Sequence, residues 1–391
     1  MIHRAAAAAI GLLLLTVGYI DLELSLDLPG WHANAPVADA CALALLGLAL
    51  TRGRAAWRDV PRPRAWAAFL AVGALSAALS FEAAASLHGW IRKPLFLFLA
   101  YGVGVASWAR TLGFRGGVGT ALLAGMGSTA LVSIVTSVGR LAAGNALWFS
   151  AITGLTPNHK AIAVALAGAL PLLLGLRDAW PERRAAATAV VGLVAIAIAL
   201  SLSKTAWITA ALGLGLFWPA GRPLARRWWL TAPALAVALV MAVYAPVLLQ
   251  SKTMLDAARS RHSLNKRAWS MVVDRPLLGQ GPETSVLLEQ VTFPDYRING
   301  VDAHGAIQKV ASETGVLGLG AWGAFTVGTG LALRRRWRAA GGAFTGMPWA
   351  TTATFCTLHA NLLLSTETFS PTHWGPLALA WGLSHPSEEA S

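Results

Sequence analysis

Long apolar stretches recur from one end of the sequence to the other, and they constrain the fold more than any other feature. A helix needs about 20 apolar residues to cross a bilayer, and its backbone groups must be satisfied within the segment. Only 13% of the residues are charged, against about 25% in a soluble domain. The sequence therefore predicts an all-α polytopic membrane protein with about 12 transmembrane helices. The candidate spans lie near 5–20, 36–51, 65–81, 89–108, 116–138, 160–176, 185–202, 205–219, 228–249, 305–333, 345–363 and 372–385.

These spans predict one integral membrane domain in three parts. Residues 1–249 hold helices one to nine, 250–304 form one long external loop, and 305–391 hold the last three helices and a cytoplasmic tail. The opening residues "MIHRAAAAAIGLLLLTVGYI" also have the composition of a signal peptide, and "ANA" at 33–35 that of a cleavage site. Pro36 directly after it argues against processing, so this stretch is interpreted as the first span.

The net charge of +13 is explained mainly by topology rather than by a nucleic-acid partner. Arginines fall in every second predicted loop, which is the pattern of the positive-inside rule. These clusters lie at 52–64, 110–115, 177–184, 222–227 and 334–338. With these loops inside, both termini are predicted to be cytoplasmic.

Other cations oppose this pattern, so they need a different explanation. Seven of them fall in the external loop: Lys252, Arg259, Arg261, Lys266, Arg267, Arg275 and Arg297. Lys93, Lys204 and Lys309 also lie on or near the external side. Cations held there suggest an anionic substrate such as a lipid-linked phosphate. Contact with lipid headgroups is the alternative, and snorkelling is the default interpretation for Arg92 and Lys93.

Several function classes lack their motifs in this sequence. Cys41 and Cys356 fall in predicted spans and offer neither a disulfide framework nor metal-ligand spacing. No Gly-rich phosphate loop with its lysine occurs, and only Asp302 beside His304 could be argued as a metal pair. We therefore predict no cofactor and no metal.

The external loop carries motifs that resemble a known family. In "RHSLNKRAWSMVVDRPLLGQG", an arginine precedes a helix that ends in Asp-x-Pro-Leu-x-Gly-x-Gly. This resembles the signature of the O-antigen ligase and O-antigen polymerase family. "AHGAIQKVASETG" is similar to that family's His-Asn-x-x-Leu followed by Glu-x-Gly, "SLSKTA" to its Ser-x-Ser-Arg-x-Ala, and "TPNHK" to its Pro-Asn motif. The four motifs cover residues 154 to 320 in the family's order.

Three positions depart from the family pattern. Lys204 replaces the expected arginine, which keeps the charge but loses the bidentate fork. Asn265 stands where an aromatic residue is common. Gly305 follows His304 where asparagine is usual, so a hydrogen bond that orients the histidine is missing or supplied elsewhere.

The resemblance implies a glycosyltransferase of the bacterial inner membrane with a periplasmic active site. It would move a glycan from undecaprenyl diphosphate to an acceptor hydroxyl, with O-antigen ligation to lipid A-core as the first interpretation. Its partners would be the lipid-linked donor, the glycan or lipid A-core acceptor and membrane lipid. His304 is the candidate catalytic base. The candidate diphosphate ligands are Lys204, Arg261, Arg267 and Arg275, and the supporting residues are Asp274, Glu313 and Glu367.

Alternatives stay open for these roles. His304 could simply start a helix, Arg261 could form a structural salt bridge with Asp256 or Asp274, and Glu367 could cap the final helix rather than orient the base. A polymerase of the same family is the alternative enzyme. A transporter of lipid-linked sugars is the alternative of another class, although we find no related halves with paired broken helices.

Overall fold

The structure is a computed structural model. It describes residues 2–16, 23–28, 31–142, 159–201, 203–217, 264–284, 305–344, 346–364 and 369–385.

Helices make up most of the described chain, as the apolar runs predicted. We number them in chain order: α1 Ile2–Thr16, α2 Val37–Leu50, α3 Arg54–Arg58, α4 Pro63–Ala78, α5 Ala83–Trp90, α6 Ala106–Leu112, α7 Gly119–Ala142, α8 His159–Ala179, α9 Arg184–Leu200, α10 Lys204–Leu216, α11 264–274, α12 Ala306–Ala339, α13 Gly346–Leu364 and α14 Pro371–Leu383. The π-helical segments Ile91–Leu95 and Leu97–Val105 join α5 to α6 in one continuous rod. A π-helical turn, Phe114–Val118, precedes α7, and a short 3₁₀ turn, Pro181–Arg183, precedes α9.

Eleven of the predicted spans coincide with helices, and the span near 228–249 lies outside the described residues. Five helical stretches are long and apolar enough to cross a membrane: Ala83–Leu112, Gly119–Gly139, Ile162–Ala179, Pro181–Leu200 and Ala306–Ala339. Three further apolar helices are shorter. The chain is therefore a helical membrane protein, and the number of twelve spans stays a prediction.

A two-stranded hairpin between α1 and α2 was not predicted. Strands β1, Glu23–Leu28, and β2, Trp31–Pro36, pair antiparallel with Glu23 opposite Pro36 and Leu28 opposite Trp31. Its sequence signal is the alternation "LSLDL" followed by Pro29 and Gly30, a typical turn pair. The all-α prediction holds for the membrane helices and misses this connection.

Helix α8 lies at the centre of the helical packing. It packs against α7, α9, α10, α13 and α14, and most of its apolar length is buried. Small residues allow this closeness: a Cβ on Gly175 would lie 2.2 Å from Ala350 Cβ, and one on Gly168 would lie 2.5 Å from Leu358 Cδ2. Close backbone approach at glycine is the usual way in which membrane helices associate.

Four of the five arginine clusters meet at one end of the protein, which we call the arginine end. The carboxylate of Asp59 pairs with Arg110 and lies 3.6 Å from Arg52, and Trp381 donates to the Asp59 carbonyl oxygen. Arg336 in turn contacts Ser384 and His385 beyond α14. Arg115 donates to the carbonyl oxygen of Ala179. The cluster at 222–227 lies outside the described residues.

The opposite end, which we call the loop end, gathers the C-terminus of α4, the start of α5, residues 275–284 and the start of α12. This two-sided arrangement agrees with the alternating charge pattern. Which end faces the cytoplasm stays a prediction.

A cysteine-labelling experiment checks that orientation. Glu82 is exposed at the loop end, and Arg335 is exposed at the arginine end. We expect Glu82→Cys to react with a membrane-impermeant maleimide in spheroplasts, and Arg335→Cys to react only after permeabilisation. The reverse labelling pattern would invert the orientation.

Candidate functional site

A break in helix α12 leaves backbone groups to which another segment of the chain binds at the loop end. Gly315 has φ 64° and ψ −168°, which is not helical. At such a break, the amides just after it and the carbonyls just before it lose their helical partners. Unpaired backbone groups are costly where water is scarce, so the break needs another segment of chain beside it.

Residues 275–284, which we call the docking loop, supply those partners. The amides of Val316 and Leu317 donate to the carbonyl oxygens of Pro276 and Leu277, at 2.8 and 3.3 Å. In return, the carbonyl oxygens of Ser312 and Glu313 accept from the amides of Gln280 and Gly281, at 2.9 and 3.0 Å. Four backbone groups freed by the break are thus paired with four groups of the loop.

Glycines permit this backbone contact. A Cβ on Gly315 would lie 2.3 Å from the carbonyl carbon of Leu277, and one on Gly279 would lie 2.4 Å from that of Glu313. Gly281 leaves no room either, because its Cβ would lie 2.6 Å from Ser86 Oγ. All three have positive φ, which glycine adopts at little cost. The glycines of the two sequence motifs therefore hold the docking loop against α12.

The end of α4 supports the same loop from the other side. Ser76 Oγ lies 2.5 Å from the carbonyl oxygen of Leu278 and 2.7 Å from that of Glu313, so one hydroxyl contacts both the loop and α12. Arg275 donates to the carbonyl oxygen of Leu79 at 2.9 Å. These contacts join α4, the docking loop and α12 into one unit.

Four charged residues, which we call the ion network, connect this unit to the helical rod that begins with α5. The carboxylate of Glu283 accepts from Lys93 Nζ at 2.5 Å and from Lys309 Nζ at 3.0 Å. Glu313 Oε1 lies 3.4 Å from Lys309 Nζ and accepts the Glu283 amide at 3.0 Å. These four described residues comprise two cations and two anions, so their charges balance, and removing one of them would leave a partly buried charge uncompensated.

Burial and charge have opposite effects on Glu283. Burial raises the pKa of its carboxyl, and the cations of Lys309 and Lys93 lower it; the net result is a pKa below the usual range. Because its pKa is lowered, Glu283 is ionised across the physiological pH range. The Lys309 side chain is 2% exposed and that of Glu313 4%, so the loss of Glu283 would leave the buried Lys309 ammonium with a single described carboxylate.

A small cavity lies beside the network. Its volume is about 10 Å³, room for about one water molecule. Glu283, Glu313 and Thr314 line it together with the aromatic side chains of Phe69 and Trp90.

The predicted site residues fall into two groups. Glu313 belongs to the ion network, Arg267 is half-buried in α11, and Asp274 and Arg275 are exposed at its C-terminal end. His304, Arg261 and Glu367 lie outside the described residues, so the alternative roles proposed for them stay untested. Of the predicted residues, Glu313 and Arg275 contact the docked unit at the loop end.

The start of α10 fits its motif. Lys204 is the first residue of the helix, although its side chain lies outside the described part. Ser203 caps the helix by accepting from the Ala206 amide at 3.4 Å. Ser203, which directly precedes Lys204 in "SLSKTA", therefore stabilises the start of α10 as its N-cap.

Gly305 has a physical reason to depart from the family pattern. It precedes α12 with φ 111° and ψ 138°, a conformation that side-chain-bearing residues rarely adopt. An asparagine would be strained in this backbone.

Sequence reasoning missed three members of the ion network. Lys93 was interpreted as snorkelling, yet it pairs with Glu283, 190 residues away in sequence. The positive-inside pattern identifies Lys309 as an exception but does not point to Glu283. The available signal is charge balance, because two lysines that oppose the predicted pattern need a carboxylate nearby.

Two polar residues of α13 behave differently from each other. Asn361 donates to Thr209 of α10 at 3.0 Å, a hydrogen bond between two helices. The Nδ1 atom of His359 instead lies 2.9 Å from the carbonyl oxygen of Phe355 in the same helix.

No metal site is formed by the described part of the chain: no three His, Cys, Asp or Glu side chains lie close enough there to hold an ion. Because His304 and Glu367 are outside that part, the metal-independence of the site stays a prediction.

Apolar helices with a polar assembly at one end of the bundle define a helical membrane protein. Residues 189–323 match the family model described as O-antigen ligase. The match confirms, for these residues, the resemblance inferred from their motifs. The match includes most of α9, the docking loop and the break in α12, whereas Lys93 and the Pro-Asn motif lie before it. No curated protein matches the chain.

Replacing Gly315 tests the docking contact. We expect Gly315→Ala to lower the free energy of unfolding by about 3 kcal/mol, through backbone strain and the clash with Leu277. Gly320→Ala is the matched control, because Gly320 lies in the same helix with nothing within 4 Å of its Cβ position. The control should be neutral or stabilising by up to about 1 kcal/mol. Equal melting temperatures for both variants in detergent would contradict the docking contact.

Replacing Glu283 tests the ion network. Near neutral pH, we expect Glu283→Gln to destabilise the protein by roughly 2–3 kcal/mol, less than a fully buried pair because the Glu283 side chain is 25% exposed. Since the folded-state pKa of Glu283 is lowered, its stabilisation is present above the ordinary carboxyl pKa and is lost as pH falls through the folded value. The difference in melting temperature between wild type and variant should therefore shrink in acid. If the difference in melting temperature does not change with pH, Glu283 does not stabilise the protein as a carboxylate. Glu82→Gln serves as the control, because Glu82 is exposed.

Proposed function

We propose that this protein transfers a glycan from undecaprenyl diphosphate to an acceptor hydroxyl on the periplasmic face of the bacterial inner membrane. O-antigen ligation to lipid A-core is the reaction we favour. The observation that supports it most is the hydrogen-bonded contact between the docking loop and α12, because it joins two family motifs about 30 residues apart in sequence. The O-antigen ligase family match over the same residues supports the same reaction class.

Both candidate chemical groups are close in sequence to the docked unit. His304 lies two residues before Ala306, where α12 begins, and eight residues before Ser312, which accepts a hydrogen bond from the docking loop. Arg261 lies three residues before α11, the helix that leads into the docking loop. This closeness in sequence supports a shared site at the loop end.

The transfer needs cations more than a strong acid, because the diphosphate is already a good leaving group. In this proposal, Lys204 and Arg261 stabilise the negative charge that develops on its oxygens, with Arg267 and Arg275 nearby on and after α11. Lys93 and Lys309 are not assigned this role, since Glu283 and Glu313 already compensate their charge.

His304 acts as the general base. The acceptor oxygen attacks the anomeric carbon while the bond from that carbon to the diphosphate oxygen breaks, and the hydroxyl proton passes to an imidazole nitrogen. Undecaprenyl diphosphate leaves with the electron pair. Glu313 would then support the helix that carries the base, and Asp274 and Glu367 would assist binding or orientation.

The position of the docked unit also favours an enzyme over a transporter. A transporter of lipid-linked sugars would hold its substrate near the middle of the bilayer, whereas the ion network lies at the end of α4 and the start of α12. Ligase and polymerase differ only in the acceptor. Purified protein given lipid A-core and, separately, a glycan acceptor would distinguish the two products.

Arg261 provides the first mutational test. We expect Arg261→Ala to abolish detectable transfer, since the loss of one fixed donor costs about 10²–10³-fold in rate, while the amount and melting temperature of the protein stay nearly unchanged. Arg261→Lys should also be poor because the planar fork is lost, whereas Lys204→Arg should be tolerated. Arg259→Ala, in the same loop, is the control. If Arg261→Ala does not accumulate in the membrane, a structural salt bridge explains this residue better.

His304 provides the second test. His304→Ala should reduce transfer by about 10²–10⁴-fold and leave donor binding intact, while His88→Ala, an exposed histidine of α5, should retain activity. Purified wild-type protein should remain active in excess EDTA. If EDTA abolishes activity and a divalent metal restores it, the mechanism depends on a metal. If His304→Ala keeps full activity, His304 is not the general base.

A further inference from the structure

The segment from α11 through the docking loop carries an exposed apolar face. Trp269, Val273 and Leu277 are 46%, 78% and 61% exposed, and their spacing of four residues places them on one side of a helix. Helical hydrogen bonds continue past α11, from the Arg275 amide to Met271 and from the Gly279 amide to Arg275. The opposite side, with Leu264, Ala268 and Met271, is buried. The segment is therefore apolar on both sides.

The depth of this segment follows from the length of α12. As one straight helix, its 34 residues would span about 51 Å at 1.5 Å per residue, well beyond the hydrocarbon thickness of about 30 Å, so the part before the break at Gly315 is not needed to cross the bilayer. Counting about 20 residues back from Leu333, which directly precedes the arginines at 334–338, reaches the region of Gly315. The break in α12 thus lies near the boundary between hydrocarbon and headgroups at the loop end.

The docking loop brings Leu277 to that level. The Leu317 amide donates to the Leu277 carbonyl oxygen, and Val316 and Leu317 are themselves about half exposed, as lipid-facing residues are. Val273 lies one helical turn from Leu277, about 6 Å away along the axis, and Trp269 one turn further. Both stay close to the headgroup region, where tryptophan is favoured.

We propose that residues 264–281 are seated in the membrane surface at the loop end, with Trp269, Val273 and Leu277 in contact with lipid. The occupant of this apolar face is membrane lipid, because the face is continuous with the exposed apolar residues of the spans: Leu277 adjoins Leu317, and Arg275 bonds the carbonyl oxygen of Leu79, which is 56% exposed. Lys266 and Arg275 are exposed on the same segment and suit phosphate headgroups. The predicted external loop at 250–304 is accordingly not all in water. This placement does not rest on the proposed reaction.

Spin labels in the full-length protein test the placement. Cys41 and Cys356 are first replaced by alanine, and Val273→Cys or Leu277→Cys is labelled in liposomes of zwitterionic and anionic phospholipids. Collisions with oxygen, which partitions into lipid, are compared with those of a water-soluble nickel chelate. Asp274→Cys is the control, since Asp274 is exposed on the same helix but faces another direction.

We expect the ratio of oxygen to nickel accessibility to be several-fold higher at Val273 and Leu277 than at Asp274. Nickel accessibility at all three positions would overturn the proposal, because the segment would then lie in water. Labels at Val273 and Leu277 that neither reagent reaches would also overturn it, since another segment or a second copy would cover the face. Trp269→Cys replaces either variant that lowers the melting temperature.

Discussion

The hydrogen bonds between the docking loop and the broken helix α12 are the interaction on which the loop end depends. A helix that ends abruptly near the membrane surface leaves amides and carbonyls without partners, and each unpaired group is costly. Here the backbone groups at the break near Gly315 and those of the turn at residues 276–281 satisfy each other's hydrogen bonds. Neither segment would be stable in this conformation alone, so the two family motifs are coupled by backbone geometry as well as by their side chains.

The ion network follows from that geometry. Once the loop is docked, Glu283 lies between the helical rod that contains Lys93 and the first turn of α12, which contains Lys309. Its carboxylate pairs with both lysines, and Glu313 supplies the second negative charge beside Lys309. Because Lys309 lies five residues after His304, the network stabilises the part of α12 that follows the candidate base. Structure and proposed chemistry therefore depend on the same few contacts.

Sequence patterns predicted the helices better than the site. Apolar runs place α4, α8 and α12 correctly, because the need to satisfy backbone groups in lipid leaves helix as the one local solution. The motif glycines at 279, 281 and 315 were recognised through the family resemblance, but their reason is a contact between backbones that no local pattern contains. The pairing of Lys93 with Glu283 joins residues 190 positions apart. The hairpin at 23–36 could have been predicted from the alternation in "LSLDL" and the Pro29–Gly30 pair, but the search for apolar spans did not consider it.

Amide hydrogen exchange on the purified protein tests the docking contact most directly. If the loop and the broken helix form one unit, the amides of Gln280, Gly281, Val316 and Leu317 are all hydrogen-bonded across the same contact and should open together. The account predicts slow exchange at a common rate for these four amides. Fast exchange at Gln280 and Gly281, as in an exposed loop, with slow exchange at Val316 and Leu317, would contradict it.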